Sequence, residues 1–243
     1  MQTEPNTPEP ARPLWQAQLP GRPLSGLTVL VVEDSSFASE AMRLLCLRSG
    51  ARIRRADSLR TAMRHLQTYR PAVVIIDMGL PDGCGTELIA QIRALGNSAP
   101  TILAISGDPD MRDTAVQAGA ADFLDKPIES LAVFQQAILS SLPAEVAPRG
   151  PRLLPDDIII PDDSALRDDL AHVAEVLAGA SDSAAIDYIA RFLAGVARSA
   201  HDAPLAEAAD ALARDHQAGR AVATDLTRIS GLVHERLTAV GSA

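Results

Sequence analysis

Short apolar runs alternate with amphipathic stretches between residues 27 and 142. The clearest run is residues 72–76, five apolar residues rich in β-branched side chains, which Asp77 and a cluster of glycine and proline follow. Such a run is typical of a buried parallel strand that ends at a loop. The pattern predicts five strands, each followed by a helix. The strands are at 28–32, 51–56, 72–76, 100–105 and 121–124, and the helices at 36–48, 58–68, 86–95, 108–119 and 128–142. Five such units in a row predict an α/β fold with a five-stranded, doubly wound parallel sheet.

The pattern changes after residue 142. Residues 143–162 contain five prolines around one short apolar run, so we expect a linker there. In residues 163–243 the apolar positions recur at helical spacing in four stretches, which predicts an all-α four-helix bundle. Residues 1–26 hold many prolines and no periodic pattern. The predicted organisation is therefore a flexible leader, an α/β domain at 27–142, a linker and a helical bundle.

Composition narrows the classes of protein and partner. The net charge of −9 argues against nucleic acid as a partner, because phosphate binding requires a basic surface. The two cysteines, Cys46 and Cys84, have neither CxxC nor CxxH spacing, so no zinc site or disulfide framework is implied. No apolar run approaches the roughly 18 residues of a membrane span, and the N-terminus does not resemble a signal peptide. We therefore expect a cytoplasmic protein without a membrane partner.

Reactive side chains follow four of the predicted strands. Glu33 and Asp34 follow the first, Asp77 the third, Ser106 the fourth and Lys126 the fifth. Because the carboxyl ends of parallel strands meet at one edge of a sheet, these side chains should lie close together. Three carboxylates in one small site need a cation, and carboxylate oxygens suit Mg²⁺. Lys126 is the only lysine among 22 basic residues, which indicates a geometric need for a compact ammonium.

These residues resemble the CheY-like receiver domain of two-component response regulators, which has a flavodoxin-like fold. The resemblance covers residues 27–142 and rests on four motifs. They are Val-Val-Glu-Asp at 31–34, Asp77 with Pro81 and Gly85 after it, Ser106-Gly107, and Phe-Leu-Asp-Lys-Pro at 123–127. It implies that Asp77 accepts a phosphoryl group from a histidine kinase or a phosphotransfer protein.

The same resemblance implies the roles of the other residues. Mg²⁺ would be held by Asp34, Asp77, the backbone carbonyl of Gly79 and, through water, Glu33. Lys126 and Ser106 would hold the phosphoryl oxygens. Ser106 and Phe123 would form a switch that remodels the surface of the domain after phosphorylation.

One segment of the predicted bundle resembles a histidine phosphotransfer (HPt) domain. Residues 190–195 read Ala-Arg-Phe-Leu-Ala-Gly, where the family has Ala-His-x-Leu-Lys-Gly. Arg191 therefore stands in the place of the phosphoaccepting histidine, and an arginine stays protonated and cannot accept a phosphoryl group. The resemblance implies a degenerate HPt domain that serves docking or dimerisation. The bundle histidines, His172, His201, His216 and His234, lack the spacing of the motif.

The sequence favours a response regulator whose output is a protein contact or a homodimer. We expect no DNA-binding output, because no basic recognition helix is present, and no independent catalytic domain. One alternative is an active phosphotransfer or phosphatase component that uses the bundle. Another is a purely structural pseudo-receiver, which the complete set of acids, serine and lysine disfavours.

Overall fold

The computed structural model describes residues 21–144, 154–179 and 183–240. The predicted leader lies outside the described residues up to position 20, and part of the predicted linker, residues 145–153, does as well. Within the described ranges, every helix is too short or too polar to span a bilayer.

A five-stranded parallel sheet forms the centre of the first half of the chain. Its strands lie in the order β2-β1-β3-β6-β7. They are β1 (Thr28–Val32), β2 (Arg52–Ala56), β3 (Val73–Asp77), β6 (Thr101–Ser106) and β7 (Asp122–Asp125). The chain order reverses direction between β1 and β3, which is where open α/β sheets bind ligands. The predicted five-stranded parallel sheet is confirmed.

Helices cover both faces of this sheet. They are α1 (Ser36–Ser49), α2 (Leu59–Thr68), α3 (Gly85–Arg93), α4 (Met111–Ala118) and α5 (Leu131–Ser141). Alternate residues of β3 enter different cores, because successive side chains of a strand point to opposite faces. Val73 and Ile75 pack in the core that contains residues of α1 and α5, and Val74 and Ile76 in the core that contains residues of α2, α3 and α4.

The predicted helix signals are present at α1 and α2. Gly50 ends α1 with a φ of 83°, the left-handed conformation that glycine adopts without strain. The Ser58 hydroxyl accepts a hydrogen bond from the backbone N–H of Thr61 and so caps α2. A short antiparallel hairpin, β4 (Gly79–Leu80) and β5 (Gly83–Cys84), was not predicted.

Two predicted helix starts are wrong. The helix predicted from residue 108 begins at Met111, because the Asp108 carboxylate accepts a hydrogen bond from the backbone N–H of Asp110 at 3.0 Å and forms a local turn. The helix predicted from residue 128 begins at Leu131. Residues 129–131 instead form backbone hydrogen bonds with residues 157–159, which run antiparallel beside them.

Four helices follow in the described part of the chain after residue 154. They are α6 (Asp163–Gly179), α7 (Ser183–Ser199), α8 (Ala203–Gln217) and α9 (Ala223–Val240). Apolar residues from all four share one core, which includes Leu170, Leu193, Leu212 and Ile229. Below, α6 to α9 are called the C-terminal helices.

Candidate functional site

Three carboxylates meet at the reversal point of the sheet. Glu33 and Asp34 directly follow β1, and Asp77 ends the neighbouring strand β3. Ligand oxygens of the three residues lie within 4.8 Å of one another. Glu33 and Asp77 are buried, with 4% and 6% of their surface exposed. The parallel register of the two strands therefore brings these acids together as the sequence predicts.

Lys126 lies among these acids. Its Nζ is 2.6 Å from Oε2 of Glu33 and 3.1 Å from Oδ2 of Asp77, and only 7% of its side chain is exposed. It follows β7 and is held there by a hydrogen bond of 2.8 Å from its backbone N–H to the carbonyl oxygen of Ser106. Three carboxylates and one ammonium give this cluster a formal net charge of −2.

Burial perturbs the protonation of the cluster. Loss of hydration is the largest cause that raises the pKa of Asp34 to about 7, and the neighbouring Asp77 carboxylate raises it further. Burial also raises the pKa of Glu33 above its usual range, while Lys126 opposes that rise. Burial would lower the pKa of Lys126, but the carboxylates of Asp77 and Glu33 outweigh it and raise this pKa. The ammonium therefore stays charged.

The donor set fits a magnesium ion. Carboxylate oxygens are ligands that Mg²⁺ prefers, and the uncompensated negative charge favours a divalent cation. Gly79, whose carbonyl is the fourth predicted ligand, lines the same cavity as the acids. Ser106 also lines it, at the end of β6, and its Oγ accepts a hydrogen bond from the backbone N–H of Asp108 at 3.1 Å.

Phe123, the predicted switch residue, lies inside the domain. Its side chain is buried on β7 in the core beside α4. The guanidinium of Arg112 lies over the ring at 4.7 Å from its centroid, and its Nη1 donates a hydrogen bond to the Phe123 carbonyl. Movement of Phe123 would therefore disturb α4.

Residues 29–138 match the family model of the response regulator receiver domain. This segment is a receiver domain. It is similar to the KDP operon transcriptional regulatory protein KdpE of Escherichia coli K12, with 32% identity over 99 residues, 41% of this chain and 44% of the relative. It is also similar to the virulence transcriptional regulatory protein PhoP of Salmonella typhimurium, with 31% identity over 117 residues, 46% of this chain and 52% of the relative. The chain thus spans about half the length of these curated relatives.

A solved structure with a similar fold is the receiver domain of the sensor histidine kinase PA1611 from Pseudomonas aeruginosa. It is 26% identical, has a TM-score of 0.44, and covers 48% of this chain and 97% of that one. That structure holds a magnesium ion coordinated in its active site cleft. The match to the family model confirms the predicted resemblance to a receiver domain for residues 29–138.

The C-terminal helices lie over the acidic site of the receiver domain. Together they line a half-open cavity of about 410 Å³. The receiver domain lines one side of it with Glu33, Asp34, Asp77, Ser106 and Lys126. Helices α7 and α8 line the other side, and their contribution includes Arg191, Arg198 and Arg214. The sequence did not predict this arrangement.

Asp169 of α6 binds the start of α1. Its carboxylate accepts hydrogen bonds from the Ser35 hydroxyl at 2.7 Å and from the backbone N–H groups of Ser36 and Phe37 at 2.7 and 3.0 Å. The N-terminus of a helix favours such an anion. Burial raises the pKa of Asp169, and these hydrogen bonds oppose the rise. One signal was available in the sequence, since Asp169 adjoins Leu170 on the apolar stripe of α6.

Tyr188 of α7 contacts one of the three acids directly. Its hydroxyl donates a hydrogen bond of 3.0 Å to Oδ2 of Asp34. The Tyr188 ring packs against Phe192 and His172. Burial and the nearby Asp34 carboxylate both raise the pKa of Tyr188, so the hydroxyl keeps its proton. A side chain outside the receiver domain therefore reaches the acidic cluster.

Proposed function

We propose that this chain is a response regulator in which Asp77 accepts a phosphoryl group from a phosphohistidine of a histidine kinase or a phosphotransfer protein. The supporting observation is the buried Asp77 carboxylate, with the Lys126 ammonium 3.1 Å from Oδ2 and two further acids beside it. A carboxylate is a weak nucleophile, so attack on phosphorus requires neutralised phosphoryl oxygens and in-line positioning. The charged groups of this cluster suit both the neutralisation and the positioning of the phosphoryl group.

Each residue has a distinct role in this reaction. An oxygen of Asp77 bonds to phosphorus while the bond from phosphorus to the histidine nitrogen breaks, and the imidazole leaves with a proton taken from water. Lys126 and the Ser106 hydroxyl hold phosphoryl oxygens. Glu33, Asp34, Asp77 and the Gly79 carbonyl would hold Mg²⁺, directly or through water. The bound ion would supply further neutralisation of the phosphoryl charge.

The switch would connect the phosphorylated Asp77 to α4. Ser106 ends β6, and Phe123 of the adjacent strand β7 lies opposite Ala104 of β6. Attraction of the Ser106 hydroxyl to the phosphoryl group would open space beside Phe123, and a shift of the ring would move Arg112, which contacts it. The surface that contains α4 would change as a result.

We assign the output to a protein contact or a homodimer of the C-terminal helices, without nucleic acid and without an independent catalytic activity. Acidic residues outnumber arginines in this part of the chain, and it contains no lysine. We further propose that these helices are a four-helix bundle related to HPt domains without the phosphoaccepting histidine. In support, Arg191, which takes that histidine's place, lines the cavity that contains Asp77. None of the five histidines, all of them in the described ranges, lines this cavity, so an active phosphotransfer role receives no support.

Chemical trapping tests the proposed acceptor. The protein is treated with acetyl phosphate and Mg²⁺, the acyl phosphate is reduced with borohydride, and the modified peptide is sequenced by mass spectrometry. We expect modification at Asp77, and none of it in Asp77→Asn. Asp113→Asn, which changes an exposed acid of α4, should label as the wild type does. Equal labelling of Asp77→Asn would overturn the assignment.

A further inference from the structure

The C-terminal helices cover the face of the receiver domain that contains Asp77. Helix α7 approaches the loop after β6 closely. A Cβ added at Gly107 would lie 3.3 Å from Nη1 of Arg198 and 3.8 Å from the Cα of Gly195. These are van der Waals distances, so no layer of solvent separates the helix from this loop. A protein phosphodonor would have to reach the face that α7 and α8 already occupy.

Polar contacts hold the helices at three points around the site. Asp169 accepts its three hydrogen bonds at the start of α1, and Tyr188 donates to Asp34. On a third side, Nε2 of His201 lies 2.7 Å from Oε1 of Glu129, in the segment before α5. Asp169 is only 3% exposed. A carboxylate gives up its hydration only where other hydrogen bonds replace it, so this contact is a specific one.

The charges of the two surfaces are complementary. The acidic cluster of the receiver domain has a formal net charge of −2. Arg191, Arg198 and Arg214 of the C-terminal helices line the same cavity, and Arg198 pairs at 2.7 Å with Asp210, which also lines it, so three positive charges stand against one negative charge. The segment of α7 that contributes Arg191 is the one that resembles an HPt domain. The surface formed by α7 and α8 therefore fits the phosphorylation face of a receiver domain in charge.

We propose that the C-terminal helices are an internal docking partner of the receiver domain, and that their contact excludes protein-sized ligands from the cavity around Asp77 while small phosphodonors still enter. The proposal rests on the proposed function of Asp77. A cavity of about 410 Å³ has the size of a small-molecule site. Acetyl phosphate fits within it, and transfer forms a bond from Asp77 to phosphorus with acetate as the leaving group. A phosphohistidine on another protein gains access only after the helices undock.

Cys84 provides a reporter of access, because it lines the same cavity, while Cys46 is buried in the core of the receiver domain. Alkylation of Cys84 is measured with N-ethylmaleimide and with a maleimide on a long polyethylene glycol chain. In the wild type, the large reagent should react far more slowly than the small one. Alkylation of Cys46 would reveal global unfolding.

Asp169→Ala should raise the rate at which the large maleimide alkylates Cys84 by at least about tenfold. This factor corresponds to about 1.4 kcal/mol, less than three hydrogen bonds to a carboxylate can contribute. Asp168→Ala is the matched control, because it removes the same charge from an exposed neighbouring position of α6. An unchanged rate in Asp169→Ala, or the same increase in Asp168→Ala, would overturn the docking proposal.

Tyr188→Phe gives a second, milder test if Asp169→Ala does not fold. It removes one hydroxyl and should raise the large-reagent rate in the same direction. Tyr69→Phe is its control, since the Tyr69 hydroxyl bonds to His65 on a different part of the receiver domain. If the large maleimide alkylates Cys84 no faster in Tyr188→Phe than in Tyr69→Phe, the docking contact is contradicted.

Labelling with acetyl phosphate separates this proposal from the proposed function. The initial rate of labelling by acetyl phosphate should agree within about twofold among the wild type, Asp169→Ala and Asp168→Ala, because a small donor enters the cavity in every case. A large increase in Asp169→Ala alone would show that the helices also exclude small donors and would overturn the size discrimination. Absence of labelling in all three proteins would refute the phosphoacceptor role and leave the alkylation result standing.

Discussion

Replacement of Lys126 by methionine would remove the ammonium that lies among Glu33, Asp34 and Asp77. The two side chains are similar in length, so the main change is electrostatic. At an effective dielectric constant of about 20, attraction across the 2.6 Å and 3.1 Å contacts amounts to about 6 and about 5 kcal/mol. Desolvation of the ammonium offsets much of this. Removal of one partner from a buried ion pair costs about 3–5 kcal/mol in practice, because the remaining charges lose their compensation.

Urea unfolding at neutral pH, followed by circular dichroism in EDTA, measures this cost. We expect the free energy of unfolding of Lys126→Met to fall by about 3–5 kcal/mol. Arg43→Met is the control, because Arg43 forms a more exposed ion pair with Glu40 at 2.7 Å, and its loss should cost at most about 1 kcal/mol.

Magnesium adds a second readout to the same experiment. The variant has three carboxylates without an ammonium, so a divalent cation should bind it more tightly and restore more stability than it adds to the wild type. The reasoning is wrong if Lys126→Met is no less stable than Arg43→Met, or if MgCl₂ stabilises the variant and the wild type equally.

Two further predictions concern the receiver domain and the C-terminal helices. Burial raises the pKa of the Cys46 thiol to about 12, so N-ethylmaleimide at pH 8 should modify Cys84 and leave Cys46 intact, and peptide mapping that finds equal modification would contradict this. Gly50→Ala should cost about 1–3 kcal/mol in urea unfolding, because Gly50 has a φ of 83° and a Cβ would lie 2.6 Å from Oγ of Ser25. Gly231→Ala, in the interior of α9 with open space around it, should instead gain about 0.5–1 kcal/mol, and a loss as large as that of Gly50→Ala would refute the argument.

The receiver domain could be predicted from local signals. The apolar run before Asp77 is buried on both faces of the sheet, so it has no polar position that would make the strand resemble a loop. Ser58 and Gly50 mark helix ends through their own backbone chemistry. The convergence of Asp77 with Glu33 and Lys126 follows from parallel strand order alone, which is why the acids and the lysine could be assigned to one site.

The missed features are either too short to show a pattern or depend on contacts between distant parts of the chain. The hairpin of Gly79–Leu80 and Gly83–Cys84 has two-residue strands, too short for any period to be visible. The start of α5 depends on residues 157–159, which lie beside it only after folding. Helical periodicity identifies the apolar stripe of α6 but not the element that covers it, so the binding of Asp169 to α1 could not be derived from the sequence.

The most direct test of the central claim is the intact mass of the protein after incubation with acetyl phosphate, with and without Mg²⁺. The wild type should gain one phosphoryl group only with Mg²⁺, and Asp77→Ala should gain none. Light scattering on the same samples would show whether phosphorylation changes the oligomeric state. A wild type that gains no phosphoryl group under conditions that label an ordinary receiver domain, or an Asp77→Ala variant that is labelled equally, would contradict the account.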